Sequence, residues 1–380
     1  MIAKALPAVE KLPKHALQHF LEPERVLMFR VPWTNLAGEY CVNRGYRVQF
    51  SSLLGPYQGG VTFGPEVDQE FVYAKALQQT VANAASGRQL GGAWGGSDFD
   101  PKGKTDAELM AFVQSFATAM QRGVGQFTDI IQGGREAGLL FGQMKKLADS
   151  YAAVVVQSAD ATLLTQLASG KHKSTSILGF NAEAIAICRA LQATEYAVRS
   201  VTYGAKTVVQ LGGFKPEQVD QLEKNVKSGD KISDYKSNTS EFYEGDIQFN
   251  AAKQERFIIC GNVSIEIVKK LASFGAGVVV ATIPISNEMT AEVIKQVTFC
   301  SHEVIMAVAT SSFASKLTQL AVRMDAPENK QEQIDEATKL VLKQCKNVAA
   351  QFGRDDDLQF GLLGFAVQKL AEAAADQGWV

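Results

Sequence analysis

The stretch that decides the reading runs from Arg44 to Lys104: RGYRVQFSSLLGPYQGGVTFGPEVDQEFVYAKALQQTVANAASGRQLGGAWGGSDFDPKGK. Glycine turns at Gly55-Pro56 to Gly60, Gly91-Gly92 and Gly95-Gly96 interrupt segments patterned as strand and helix. Glycine serves where the backbone takes positive φ or comes close to another group. A cluster this dense beside Asp98 and Asp100 points to a cleft wall. Before it, ERVLMFRVPW and EYCVNRGYRVQF are rich in Val, Phe and Tyr with partial alternation, which predicts strands of a mixed sheet. Within it, Phe71 to Ala85 predicts a helix. After it, Thr105-Asp106-Ala107-Glu108 forms a capping box that opens a second helix. Met110, Val113, Ala117 and Met120 recur at helical spacing and should face a core.

At 380 residues the chain is long enough for two domains. Its 46% hydrophobic and 21% charged residues are ordinary for a globular protein. A net charge of −2 leaves no electrostatic footprint for nucleic acid. The apolar run Phe274–Ile285 is too short for a membrane span of about 20 residues. Five scattered cysteines with no CxxC spacing point to an intracellular reducing compartment, mitochondrial or cytoplasmic, and to no zinc site. Residues 1–23 read as an extension broken by Pro7, Pro13 and Pro23. Its His15/His19 pair reads as surface. Arg354-Asp355-Asp356-Asp357 reads as a solvated turn rather than a metal cluster, since successive carboxylates point apart. No metal is expected.

The 44–104 stretch resembles the substrate-binding domain of the hexameric glutamate dehydrogenases, a family that also includes leucine, phenylalanine and valine dehydrogenases. That family runs RGYRVQF, GPYKGG, an EQ-containing helix, then MGGGKGGSDFDPKGKS. The likeness extends from Glu24 to Val380 and implies an α/β fold of two domains. These would be a substrate and oligomerisation domain over 24–180, with C-terminal helices from 345–380 packing back, and a Rossmann-like domain over 181–344. Three lysines of the family fall on Gln58, Ala82 and Trp94. In the family they meet the substrate's carboxylates and polarise the reacting carbonyl. Gln79 and Asp129 correspond to site residues that are kept; Asp129 aligns with a catalytic aspartate when Gly134-Arg135-Glu136 is matched to the family's GAREIG. A substrate-touching threonine falls on Ile185 and a substrate serine on Phe313.

A dinucleotide site needs strand, GxGxxG and helix in succession. The one tempting pair of letters, Gly261-Asn262, is weak. A colinear match is preferred, in which YGAKTVVQL (203–211) is the second strand and VVVATIPISNE (278–288) a later one. In that register the first strand and the glycine loop are missing between about residues 190 and 203, and the family asparagine beside the nicotinamide becomes Thr282. The expectation is therefore a truncated Rossmann-like domain and no cofactor. Losing acid–base groups costs about 10²–10⁴-fold each. The chain is accordingly expected not to be an enzyme but a structural or interaction subunit of a homo- or hetero-oligomer or larger complex. Two alternatives stand beside it: an active NAD(P)-dependent amino-acid dehydrogenase with an altered site, and a regulatory partner of an active dehydrogenase.

Overall fold

The computed structural model describes residues 20–120, 123, 129–131, 166–167, 174–192, 194–228, 232–235, 240–244, 256–260, 265–273, 277–281, 298–300, 304–305, 307–308, 330–355 and 357–378. The polypeptide divides into two compact units. One takes residues 1–153, 310–330 and 360–380; the other takes 154–309 and 331–359.

The first unit is built on a long hairpin. Strands β1 (Arg25–Thr34) and β2 (Tyr40–Ser51) pair antiparallel from Arg25↔Gln49 to Thr34↔Tyr40. Short strands β3 (Tyr57–Gly59) and β4 (Val61–Phe63) follow, then helix α1 (Gln69–Ala85), strand β5 (Gly92–Ser97), helix α2 (Asp106–Met120) and strand β6 (Asp129–Ile131). The main sheet runs β1-β2-β5-β4, and β3 pairs with β6 in a separate parallel ribbon.

Alternation along β2 sends Tyr46, Val48 and Phe50 to one face, where they pack with Val67, Val72 and Ala76 and meet α1. On the other face Val31 and Trp33 pack with Phe99, Leu109, Phe112, Phe116 and Met120, which brings in α2. Helix α1 starts two residues before Phe71 because the Asp68 side chain accepts the Phe71 N–H at 2.8 Å. At α2 the expected capping box is present: the Thr105 hydroxyl accepts from the Glu108 N–H at 3.3 Å, and the Glu108 carboxylate accepts from the Thr105 N–H at 3.0 Å.

The second unit holds a seven-stranded sheet. Its strands are β7 (Ser174–Leu178), β8 (Ala197–Tyr203), β9 (Lys206–Val209), β10 (Glu241–Glu244), β11 (Arg256–Ile259), β12 (Val278–Ala281) and β13 (Thr298–Cys300). Helix α3 (Ala182–Gln192) joins β7 to β8, α4 (Pro216–Ser228) follows β9, and α5 (Ile265–Ser273) joins β11 to β12. The chain closes with α6 (Lys330–Gln351) and α7 (Leu358–Asp376).

The strand order is β10-β9-β8-β7-β11-β12-β13. The five strands from β8 to β13 through β7 are parallel, and β9 and β10 add an antiparallel edge. Strand β7 pairs with β8 on one side and β11 on the other. It occupies the first-strand position of a doubly wound sheet, so the expected truncation does not occur. The segment SILGFNAEAIAICRALQ is the missing strand, turn and helix, not a helix ahead of them. Its neighbour in second place is β8, with YGAKTVVQL supplying the antiparallel return β9. Because β7 belongs to this sheet, the second unit also begins ahead of the expected boundary at residue 180.

Candidate functional site

In the first unit, the residues standing where the family carries lysines gather on the α1 side of the sheet. Gln58, on β3, and Gln79, on α1, are both buried. The Gln79 Nε2 donates to Gln58 Oε1 at 3.3 Å and to Asn83 Oδ1 at 2.7 Å. Asn83 in turn donates to the backbone carbonyls of Gln58 and Gly91. Burial demands this satisfaction, since an amide left without partners costs about 1–3 kcal/mol. Ala82, one turn beyond Gln79, is also buried and brings no polar atom.

Trp94 sits in the middle of β5, opposite Val48. Its ring is half-buried against the Tyr46, Val48, Phe50 cluster, and its indole N–H donates to the Thr62 hydroxyl at 3.1 Å. The flanking glycines are steric necessities: a Cβ on Gly92 would overlap Thr80 of α1, and one on Gly59 would overlap the Ala93 carbonyl. Strand, ribbon and helix therefore pack closely here, and Gln58, Gln79, Ala82, Asn83 and Trp94 bring no charge.

Asp129 does not join this group. It is wholly buried and held by Arg47 through two guanidinium hydrogen bonds, one of them Nε to Oδ2 at 3.0 Å. Gln49 Nε2 donates to the same carboxylate oxygen at 2.7 Å, and Arg47 Nη1 donates to the Gly60 carbonyl at 2.9 Å. Arg47 and Val48 are successive residues of β2, so their side chains leave opposite faces of the sheet. Trp94 opposes Val48, and Asp129 pairs with Arg47. The structure thus gives Asp129 a bracing role between β2 and β6.

The second unit offers a site that sequence reasoning missed. Beyond β7 the chain makes the turn Gly179-Phe180-Asn181 and enters α3. Parallel strands β7→β8 wind one way and β11→β12 the other, so their crossover helices α3 and α5 fall on opposite faces by the right-handed rule. The carboxyl ends of β7 and β11 flank the point where strand order reverses, the usual ligand crevice of such a sheet.

Gly179 has φ +139°, and a Cβ there would overlap the Cys260 carbonyl at the end of β11. Its N–H bonds to the Thr202 carbonyl at 2.6 Å, while the Leu178 carbonyl accepts from Cys260 N–H at 2.7 Å. Ala184, five residues on, is fully buried. In the pattern G-x-G-x-x-G/A, Gly179 and Ala184 take the first and third places, and Asn181 takes the second. Only the first letter is a glycine, and that is why the motif was passed over. The usable signal was the β-branched run STSI ending in Leu178-Gly179 and followed by an apolar helical repeat.

Gly261, Asn262, Thr282 and Phe313 lie outside the described residues, and Ile185 is a buried residue of α3. Burial pushes the thiols of Cys188 and Cys345 up to about 12, which leaves both unreactive. No group of three metal-binding side chains occurs among the described residues, and no described helix is long and apolar enough to cross a membrane.

Comparison with known proteins fixes the family. Residues 23–152 match the model for "Glu/Leu/Phe/Val dehydrogenase, dimerisation domain". The NADP-specific glutamate dehydrogenase of Giardia intestinalis is 30% identical across 98% of this chain and 92% of its own length. Relatives of the same name in Emericella nidulans and Penicillium chrysogenum reach 37%, matched over about half of each chain. Among solved structures, Plasmodium falciparum glutamate dehydrogenase 2 superposes with a TM-score of 0.81 at 25% identity, covering 99% of this chain and 91% of that one. The hetero-hexameric glutamate dehydrogenase of Thermus thermophilus gives 0.82 at 18% identity, covering 99% and 96%. A relative that carries an enzyme's name along nearly the whole sequence overturns the expectation of a chain that is not an enzyme. On this full-length kinship, and on a fold shared from end to end, the chain belongs to the Glu/Leu/Phe/Val dehydrogenase family.

Proposed function

We propose that the chain is a nicotinamide-dependent amino-acid dehydrogenase whose substrate floor is neutral where its family carries lysines. The observation that carries this reading is the kinship, along 98% of the chain, with an enzyme named NADP-specific glutamate dehydrogenase. The β7-turn-α3 unit adds physical support. Gly179 provides the tight turn and Ala184 the close helix–strand approach that a dinucleotide fold uses, so two of three positions fit. When bound, the dinucleotide supplies the hydride acceptor or donor. The end of β8 (Thr202, Tyr203) bears no carboxylate of its own to take a ribose 2′-hydroxyl, and Lys206, three residues on, pairs with Glu244 of β10 at 3.2 Å. That favours the 2′-phosphorylated form, NADP.

The substrate end is set by Gln58, Gln79, Asn83 and Trp94. Their amides bond to one another and to backbone carbonyls, and none carries charge to balance a second carboxylate. This favours amino acids with uncharged side chains over dicarboxylates. Trp94 has no proton to give near neutral pH, so it shapes and dries the floor rather than acting as an acid. Losing that acid costs about 10²–10⁴-fold in rate, so turnover is slow compared with lysine-bearing relatives. We further propose that the protein works as a homo- or hetero-oligomer.

The test is an assay of the purified full chain with NADP and NAD against a panel of neutral and dicarboxylic amino acids. Slow NADP-linked oxidation of neutral members is expected. Absence of turnover on every member with either nucleotide would overturn the reading.

A further inference from the structure

We infer that the Asn181 side chain is a built-in plug of the dinucleotide crevice, holding the place that the cofactor's pyrophosphate must take. The inference rests on the dehydrogenase reading above and concerns the same crevice. It stands on the place of Asn181 in the turn and on two hydrogen bonds.

First, Asn181 stands in the second place of the turn, where a glycine normally lets a pyrophosphate reach the helix N-terminus. Second, its Oδ1 accepts the Ala184 N–H at 2.8 Å. That N–H is one of the first-turn donors that would otherwise face a bound anion. Third, its Nδ2 donates to the Cys260 carbonyl at 2.8 Å. The side chain therefore bridges from the start of α3 to the end of β11, across the mouth of the switch point between β7 and β11. One neutral amide thus takes one of the helix end's open donors from within the chain.

A dinucleotide can enter only by displacing this amide, giving up a cap and a cross-strand bond. The cofactor's apparent affinity is then reduced by the fraction of time the plug is out, as for any ligand that binds a minor state. Glycine caps a helix nearly as well as asparagine. Asn181→Gly accordingly removes the plug at little cost to α3.

The experiment is calorimetric titration of NADPH into the full-length wild type and into the Asn181→Gly and Asn181→Asp variants, with thermal unfolding as the control for folding. Asn181→Gly should bind about tenfold more tightly than wild type, equivalent to about 1.4 kcal/mol. Asn181→Asp keeps the cap but adds a negative charge against the phosphates, and should bind at least tenfold more weakly. A side chain that merely stabilises the helix would leave the Asn181→Gly titration unmoved. Equal or weaker binding by Asn181→Gly, or no binding by any of the three proteins, would overturn the inference. Turnover is scored separately. Tighter binding by Asn181→Gly without turnover would sink the enzyme reading and spare the plug; turnover with unchanged affinity would do the reverse.

Discussion

Arg47 and Asp129 are both fully buried, and each is the other's charge balance. Removing one partner of such a pair leaves an uncompensated charge in a dry interior, at a cost of about 3–5 kcal/mol. Asp129→Asn should therefore lower the stability of the first unit by that amount, read as a fall in the urea midpoint at constant slope. A loss below about 1 kcal/mol would show that Asp129 is not the brace described here. Tyr57 offers a second reading at the same scale. Burial, with help from its hydrogen bond to Glu24, pushes its hydroxyl up to about 12 from the usual 10. The folded form keeps the proton that the unfolded chain gives up, so this contribution is whole below pH 10 and fades as pH rises toward 12. Unfolding temperature should fall across that window in the wild type, and the fall should be shallower in Tyr57→Phe. Identical profiles for the two proteins would remove the assignment.

Elements built from local signals were legible in the sequence. The alternation in β2 and the Thr105/Glu108 box of α2 could be read directly, because side chain and neighbour lie within a few residues. Thr105→Ala should destabilise α2 by about 1 kcal/mol, the usual worth of an N-cap hydroxyl, measured by equilibrium denaturation. No measurable change would mean that the helix start is held by packing alone. What could not be read were relations made over long separations. Asp129 was aligned as a catalytic group, yet its role is fixed by β6 joining β3 and by Arg47, 82 residues away in sequence. The unit β7-turn-α3 was missed for a different reason. Its strand is only five residues long, and Asn181 replaces the glycine that makes the motif recognisable. Gln58 and Gln79 were legible as positions, but their shared hydrogen bond required the fold.

Over the whole molecule, two features extend beyond any single element. The first is surface. Among the described residues β1 is an edge strand, and the outward positions of β1 and its neighbour β2 include Met28, Tyr40 and Val42, exposed by 65%, 73% and 55%. Apolar side chains on an open edge invite pairing with another chain. The protein should sediment as an oligomer, and Met28→Lys with Val42→Lys should shift it toward smaller species. Sedimentation of the wild type as a monomer at micromolar concentration would contradict this. The second feature is catalytic. On the proposed function, uncharged residues at the substrate end and a plugged dinucleotide turn make this a slow dehydrogenase with an altered preference. The most direct measurement uses NADPH deuterated at the transferable position, ammonium and a neutral 2-oxo acid, with mass analysis of the amino-acid product. The account predicts deuterium at the α-carbon, formed faster with neutral than with dicarboxylic 2-oxo acids. Product carrying no deuterium above the protein-free background, with every 2-oxo acid tried, would contradict it.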